Sequence, residues 1–243
     1  MKDTINSNKK GFIISRAPAN GTIDYREEKA HHFARGMNFY KQFIILFVGS
    51  FAGVVVELLW CFVRHGYFES RTGLVYGPFN PVYGLGAFFL TLVLYKYRNR
   101  GAIYSFIGGF ITGSVVEYAC SYFQEMFFGS TSWDYSNIPL NLNGRICLLY
   151  SIFWGFLGVF WIKSVYPRFS IWVLKIPNRI GKILVWILLF FLLFDAAISS
   201  IAVFRWSERR DGEAASNAIE RIVDERFPDS RMQRIYPNMD FIE

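Results

Sequence analysis

Three carboxylates stand inside otherwise apolar stretches of this 243-residue chain: Glu57, Glu117 and Asp195. A charge in a bilayer is costly, so each needs a partner or a purpose. Glu57 lies 16 residues beyond Lys41, and Glu117 lies 17 beyond Arg100. On helices both would sit about 24–26 Å from those cations, and Asp195 about 20 Å beyond Lys182. The three are expected in the outer half of a membrane, facing one polar cavity. Two Gly-, Pro- and Asn-rich loops follow the first two carboxylates. The first runs from Glu69 to Gly84 and holds Arg71, Asn80 and Tyr83; the second holds Asp134, Asn141, Asn143 and Arg145. Arg71 and Arg145 are the natural counter-ions for Glu57, Glu117, Glu125 or Asp134. Such groups can contact a ligand or ion, and they can equally pin loops to helices, since an unpaired buried charge costs several kcal/mol (about 3–5).

The elements that must position these residues are hydrophobic blocks. The chain is 53% hydrophobic and contains 26 Phe. A helix needs about 20 apolar residues to cross a hydrocarbon core of roughly 30 Å. Five blocks fit, at about 41–63, 76–97, 101–123, 146–166 and 182–206. With no alternating pattern, backbone satisfaction in lipid demands helices rather than a barrel. The expected fold is an all-α polytopic bundle over 41–206, flanked by a polar N-terminal segment, 1–40, and a polar amphipathic tail, 207–243.

The formal net charge of +7 is distributed in bands rather than as a nucleic-acid surface. Eight Lys/Arg fall between Lys2 and Lys41, three between spans two and three, and five between Lys163 and Lys182. Only Arg64 and Arg71 follow span one, and only Arg145 follows span three. This is the positive-inside pattern, with the N-terminus cytoplasmic and the two motif-rich loops outside. Five spans also put the tail outside, although Arg205, Arg209 and Arg210 abut the membrane. The first forty residues show no secretory signal pattern. Cys61, Cys120 and Cys147 form neither a metal spacing nor a disulfide framework. The adjacent His31 and His32 lack a third ligand, so no metal and no cofactor is expected.

Shifted by sixty residues, the chain matches itself: Gly49, Gly53, Val55, Val56 and Glu57 fall on Gly109, Gly113, Val115, Val116 and Glu117. Phe68, Ser70 and Gly84 then fall on Phe128, Ser130 and Gly144. This reads as a parallel repeat of a helix–loop–helix unit, with ligand sites at the repeat interface in transporters built this way. Gly49-x3-Gly53 and Gly109-x3-Gly113 are small-x3-small patterns. They are expected to pack span one on span three.

The run Arg71-x-Gly73-Leu74-x-Tyr76-Gly77-Pro78-Phe79-x-Pro81-x-Tyr83-Gly84 carries a resemblance. So do Glu117-Tyr118, Glu125, Trp133-Asp134-Tyr135-Ser136 and Leu140-Asn141-x-Asn143-Gly144-Arg145-Ile146-Cys147. From about Phe43 to Pro237 the chain resembles the ABC-transporter type IV permease family, small multi-span proteins of bacteria. The resemblance implies a plasma-membrane protein and supplies no substrate and no catalytic residue. The chain has no G-x4-G-K-[ST] phosphate loop, so an ATPase would be a separate subunit docking on cytoplasmic loops, of which 163–182 is the longest. Five spans are few for such a permease, which calls for a homodimer. Three readings stay open: a transporter component, a membrane enzyme acting on a lipid-linked or anionic substrate, and a non-catalytic accessory or sensor subunit. Nothing resembles a nucleophile motif, and no nucleic-acid partner is expected.

Overall fold

A computed structural model describes residues 31–242; the expected polar segment 1–40 thus falls largely outside the described residues. Asn38 opens the first long helix, α1 (Phe39–His65), by accepting the Lys41 backbone N–H on its side chain. Gly66 closes it at φ 79, a left-handed position that a side chain would strain. A shorter helix, α2 (Pro81–Leu94), follows, then α3 (Ala102–Phe128). Two two-residue strands, β2 (Asn141–Leu142) and β3 (Ile146–Cys147), form an antiparallel hairpin. Helix α4 (Leu148–Phe160) continues through a π-helical turn, Trp161–Val165, into α5 (Tyr166–Val173). The last long helix is α6 (Asn178–Arg210). The tail forms α7 (Ala218–Arg226) and α8 (Asp229–Ile235), then β4 (Asp240–Phe241) pairs antiparallel with β1 (Ser130–Thr131).

Among the described residues, four helices are long and apolar enough to cross a membrane: Phe39–His65, Ala102–Phe128, Leu148–Val173 and Asn178–Arg210. The fifth expected span, at 76–97, is corrected. Its helix has 14 residues, about 21 Å against a hydrocarbon core of roughly 30 Å. Hydropathy ran on through Tyr76–Asn80, but Asn80 caps the helix on the Val82 N–H and Pro81 occupies its first turn. The missing length is supplied by non-helical chain. Asn80 donates its backbone N–H to the Ser50 carbonyl at 3.0 Å. Ser50 is 15 residues before the end of α1, so residues 66–80 travel about 22 Å back down the bundle.

The expected long connection at 163–182 is also corrected. Helix runs to Val173 and resumes at Asn178, leaving only residues 174–177 between them. One end of the bundle therefore gathers residues 31–38, 95–101 and 174–177. There Phe33, Ala34, Phe43, Ile44, Val173 and Val185 form a core cluster, and the Lys163 ammonium donates to the Arg98 carbonyl at 2.7 Å. The other end gathers loops 66–80 and 129–147 with the tail.

The repeat is legible in how the glycines pack. A Cβ on Gly49 would lie 2.8 Å from the Ala87 Cβ, and one on Gly158 would lie 2.8 Å from the Gly109 Cα. The Tyr83 ring covers Gly53 as the Trp154 ring covers Gly113. Gly84 faces the Leu46 carbonyl as Gly155 faces Phe106. Partners on α1 and α3 differ by sixty positions, those on α2 and α4 by seventy-one. Two expectations are thereby corrected. Gly84 corresponds to Gly155, because Gly144 sits in the hairpin turn at φ 67. The glycine stripes join α1 to α2 and α3 to α4 rather than α1 to α3, since a large ring from the following helix fills each groove.

Candidate functional site

The three membrane carboxylates have three separate sets of partners. Glu57 lies 3.7 Å from the Arg71 Nε, while an Arg71 terminal nitrogen is 2.8 Å from Glu69. Arg71 is held by its own backbone as well, since the Asn80 side-chain amide donates to its carbonyl at 3.1 Å. Glu69 in turn accepts from Asn238 of the tail at 3.3 Å. This group is partly open: the Glu57 and Arg71 side chains are 32% and 22% exposed.

Glu117 is closed in by hydrogen bonds. The Tyr135 hydroxyl donates to one oxygen at 2.9 Å and the Trp154 indole to the other at 3.0 Å. No cation pairs with it among the described residues. Tyr135 stacks on Tyr150 with ring centroids 4.7 Å apart. Burial first, and the Glu117 charge second, push the Tyr135 phenol above its ordinary range, so it stays a donor. The glycines explain the placement: only a bare Gly113 lets the Trp154 ring lie flat enough to aim its N–H at Glu117 one turn along.

Asp195 is fully buried. Its Oδ1 accepts the Tyr76 backbone N–H at 3.1 Å and the Ser199 hydroxyl at 3.3 Å, and Ser199 accepts the Val75 N–H at 2.9 Å. The carboxylate thus ties α6 to the descending loop by satisfying backbone groups that have no helical partner. Its Oδ2 has no hydrogen-bond partner among the described residues. Behind this tie, Tyr236 donates to the Gly73 carbonyl at 3.3 Å. Burial, with the Asp195 charge adding to it, raises the Tyr236 phenol above its ordinary range.

The second loop is built around Arg145. Its guanidinium bonds Glu125, donates to the Ser121 hydroxyl at 3.1 Å, and lies 5.7 and 5.6 Å from the Tyr118 and Tyr122 rings. Asn143 holds φ 54 and donates to the Tyr118 hydroxyl at 2.9 Å. Asn141 donates to the Ile138 carbonyl at 2.8 Å and accepts from the Gly144 N–H. Asp134, exposed, accepts both the Ser136 N–H and its hydroxyl, which hold its carboxyl below the usual range. Asp134, Asn141 and Asn143 therefore shape the loop, while Tyr83 spends its ring on Gly53.

The structure joins Arg71 to Glu57 and Arg145 to Glu125, as charge and proximity implied. It does not place Arg71 or Arg145 on Glu117 or Asp134. Trp154, Ser199 and Tyr236 were not anticipated. Trp154 occupies the repeat position of Tyr83, a correspondence hidden by the longer second loop. The juxtamembrane arginines are also accounted for, Arg210 lying 4.8 Å from the Phe241 ring. Arg205 reaches Asp224 at 2.7 Å and Glu208 at 2.6 Å, and Arg209 bonds Asp224 and Asp229. His32 donates its Nε2–H to the Ile176 carbonyl at 2.8 Å, while its Nδ1 accepts the Ala34 N–H. Among the described residues no group of three or more His, Cys, Asp or Glu could hold a metal, and the three cysteines are free.

No curated protein and no solved structure matches the chain. The family described as "Putative ABC-transporter type IV" matches residues 44–200, from the first long helix through the buried aspartate of α6, and the chain belongs to that family.

Proposed function

We propose that the protein is the permease component of a transporter, with its ligand path entering at the end that carries the two motif-rich loops. The observation that carries this reading is the descent of residues 66–80 to the level of Ser50. Non-helical backbone at membrane depth is tolerated where it is buried in protein or lines a cavity, and transporters use such segments to bind cargo. Glu57 and Arg71 stand beside this segment with exposed surface, and Asp195 and Asn80 hold it in place. Glu117, Glu125, Asp134, Asn141, Asn143, Arg145 and Tyr83 would frame the path rather than meet cargo directly, because each is engaged within the fold.

Energy would come from a separate ATPase subunit, and a homodimer would supply the remaining spans. The bands of Lys and Arg support placing the opposite end, with the N-terminus, on the cytoplasmic face of a bacterial plasma membrane. The test is reconstitution in vesicles with candidate ATPases. Membrane-dependent ATP hydrolysis with solute flux is expected, and flux should fall in Glu57→Gln and Arg71→Gln while the fold is retained. Absence of both activities with every ATPase tried would reject the reading.

A second reading is supported by how completely Glu117 and the Arg145–Glu125 pair are satisfied internally. Closed pairs of this kind suit an accessory subunit whose loops and tail meet a partner protein. A stoichiometric partner in a pull-down, together with tolerance of Glu57→Gln, would favour it.

A further inference from the structure

The tail and the descending loop flank a shallow, open cavity of about 530 Å³, lined by Ser70, Thr72, Leu74, Val75, Gly77, Arg231, Arg234 and Ile235. None of the transport-path carboxylates lines it. Its charge comes from α8 alone: Arg231 and Arg234 stand three residues apart, on one side of the helix. Arg205 and Arg209, nearer the end of α6, are neutralised by Asp224, Glu208 and Asp229. Arg231 and Arg234 differ. Among the described residues neither has a carboxylate within ion-pair distance. Arg231 donates to the Arg226 carbonyl at 3.0 Å and lies 4.9 Å from the Phe227 ring. Arg234 donates to the Ser230 carbonyl at 3.2 Å. Each guanidinium has five N–H donors, so both keep most of their capacity.

The opposite wall is rigid and polar at its rim. Ser70 donates to the Ile235 carbonyl at 2.7 Å, and Thr72 bonds Ser70 at 3.1 Å. Val75 and Tyr76 are tied from behind to Ser199 and Asp195. Gly77, at φ 75, brings bare backbone to the lip. A concavity with two guanidiniums that have no carboxylate partner among the described residues, hydroxyls at the rim and an apolar floor of Leu74 and Val75 suits a tetrahedral oxyanion carried on an apolar or neutral body. Arginine forks bind phosphate bidentately.

We propose that this cavity binds a phosphate group through Arg231 and Arg234, the group belonging either to the headgroup of an anionic phospholipid or to a soluble phosphorylated compound. The cavity lies between loop 66–80 and α8, at the end of the bundle that carries the motif-rich loops. None of Glu57, Arg71 or Asp195 lines it, so phosphate binding there is read separately from flux, although both share loop 66–80.

The test uses the full chain in two arms. In the first, inorganic phosphate is titrated against the detergent-purified protein at constant ionic strength, with chloride as reference, and unfolding temperature is read. In the second, the protein is placed in nanodiscs of phosphatidylcholine with or without phosphatidylglycerol, and retained lipid is measured after extraction by native mass spectrometry. Binding is expected in one arm or both, which identifies the source. It should weaken at least roughly tenfold in Arg231→Gln/Arg234→Gln. Arg221→Gln/Arg226→Gln, which removes equal charge from α7 outside the cavity, should bind as the unaltered protein does. Because Arg231 also covers Phe227, Arg234→Gln alone serves as the variant that leaves that contact intact, and it should weaken binding in the same direction. Binding in neither arm overturns the proposal. So does binding that survives in Arg234→Gln and in the double variant, or that falls equally in the α7 control.

Discussion

Trp154 donates its indole N–H to Glu117 across 3.0 Å while its ring lies on Gly113. A packing feature and a polar contact are thus one object: the glycine makes room for the ring, and the ring satisfies the carboxylate. A Cβ at Gly113 would run into the ring itself. Gly113→Ala should therefore destabilise the protein by about 1–3 kcal/mol through overpacking, besides loosening the bond to Glu117. Gly101→Ala, where an added Cβ meets nothing within 4 Å, should cost less, about 0.5–1 kcal/mol from the helix cap alone. Thermal unfolding of the two variants in the same detergent checks the difference; equal melting would contradict the close packing.

Asp195 offers a cleaner dissection of charge from hydrogen bonding. Its Oδ1 satisfies the Tyr76 N–H and the Ser199 hydroxyl, and an asparagine oxygen could do the same. Asp195→Asn should hold the descending loop with stability within about 1 kcal/mol of the parent, whereas Asp195→Ala leaves buried donors unmade and should cost about 2–4 kcal/mol. Hydrogen exchange at Val75 and Tyr76 is the local readout: unchanged in the first variant, faster in the second. Fast exchange in both would assign the tie to charge instead.

Much of this architecture can be read from residue order, and the misreadings have physical causes. Hydropathy found the long helices because lipid-facing residues, such as Val56, Trp60, Phe156 and Phe190, are as apolar as buried ones. It overran at Tyr76–Asn80 because a loop held against α1 and α6 is apolar for the same reason. The sixty-residue offset exposed Gly49 and Gly53 against Gly109 and Gly113. It hid their partners, since eleven additional residues lengthen α3, the second loop and α4 before Trp154. Arg71 and Arg145 were legible as counter-ions because each has a carboxylate nearby in sequence or on the adjoining helix. Asp195 was legible as important but not as a backbone acceptor, since a bond from a main-chain N–H leaves no trace in residue type.

The tail should undock in acid. Asp224 lies below its ordinary value of 3.8, first because Arg205 donates to it and then because Arg209 does. A carboxyl whose folded pKa is depressed contributes stability that is present above the unfolded value. That contribution is lost as pH falls through the folded one. Exchange protection of residues 218–235 should thus be level from neutral pH down to about 5 and decline below about 4. Asp224→Asn should dock less tightly at neutral pH and show a flatter acid profile. An identical profile in both proteins would remove Asp224 from the tail's attachment.

The two ends of the bundle make the last prediction. Leu140 and Gln233 lie with the motif-rich loops, and Lys96 and Lys175 lie at the end where Lys163 meets the Arg98 carbonyl. All four are exposed. Odd and even connections must emerge on opposite faces if α2, short as it is, returns the chain across the membrane together with residues 66–80. In a background with Cys61, Cys120 and Cys147 replaced by serine, single cysteines at 140 and 233 should react with an impermeant maleimide from outside intact cells. Cysteines at 96 and 175 should react only after permeabilisation if that end is cytoplasmic, as proposed from its excess of Lys and Arg. If position 233 reacted only from inside while position 140 reacted from outside, the docking of the tail at that end through Tyr236 and Ser70 could not stand, because the two would occupy opposite faces of the same bilayer.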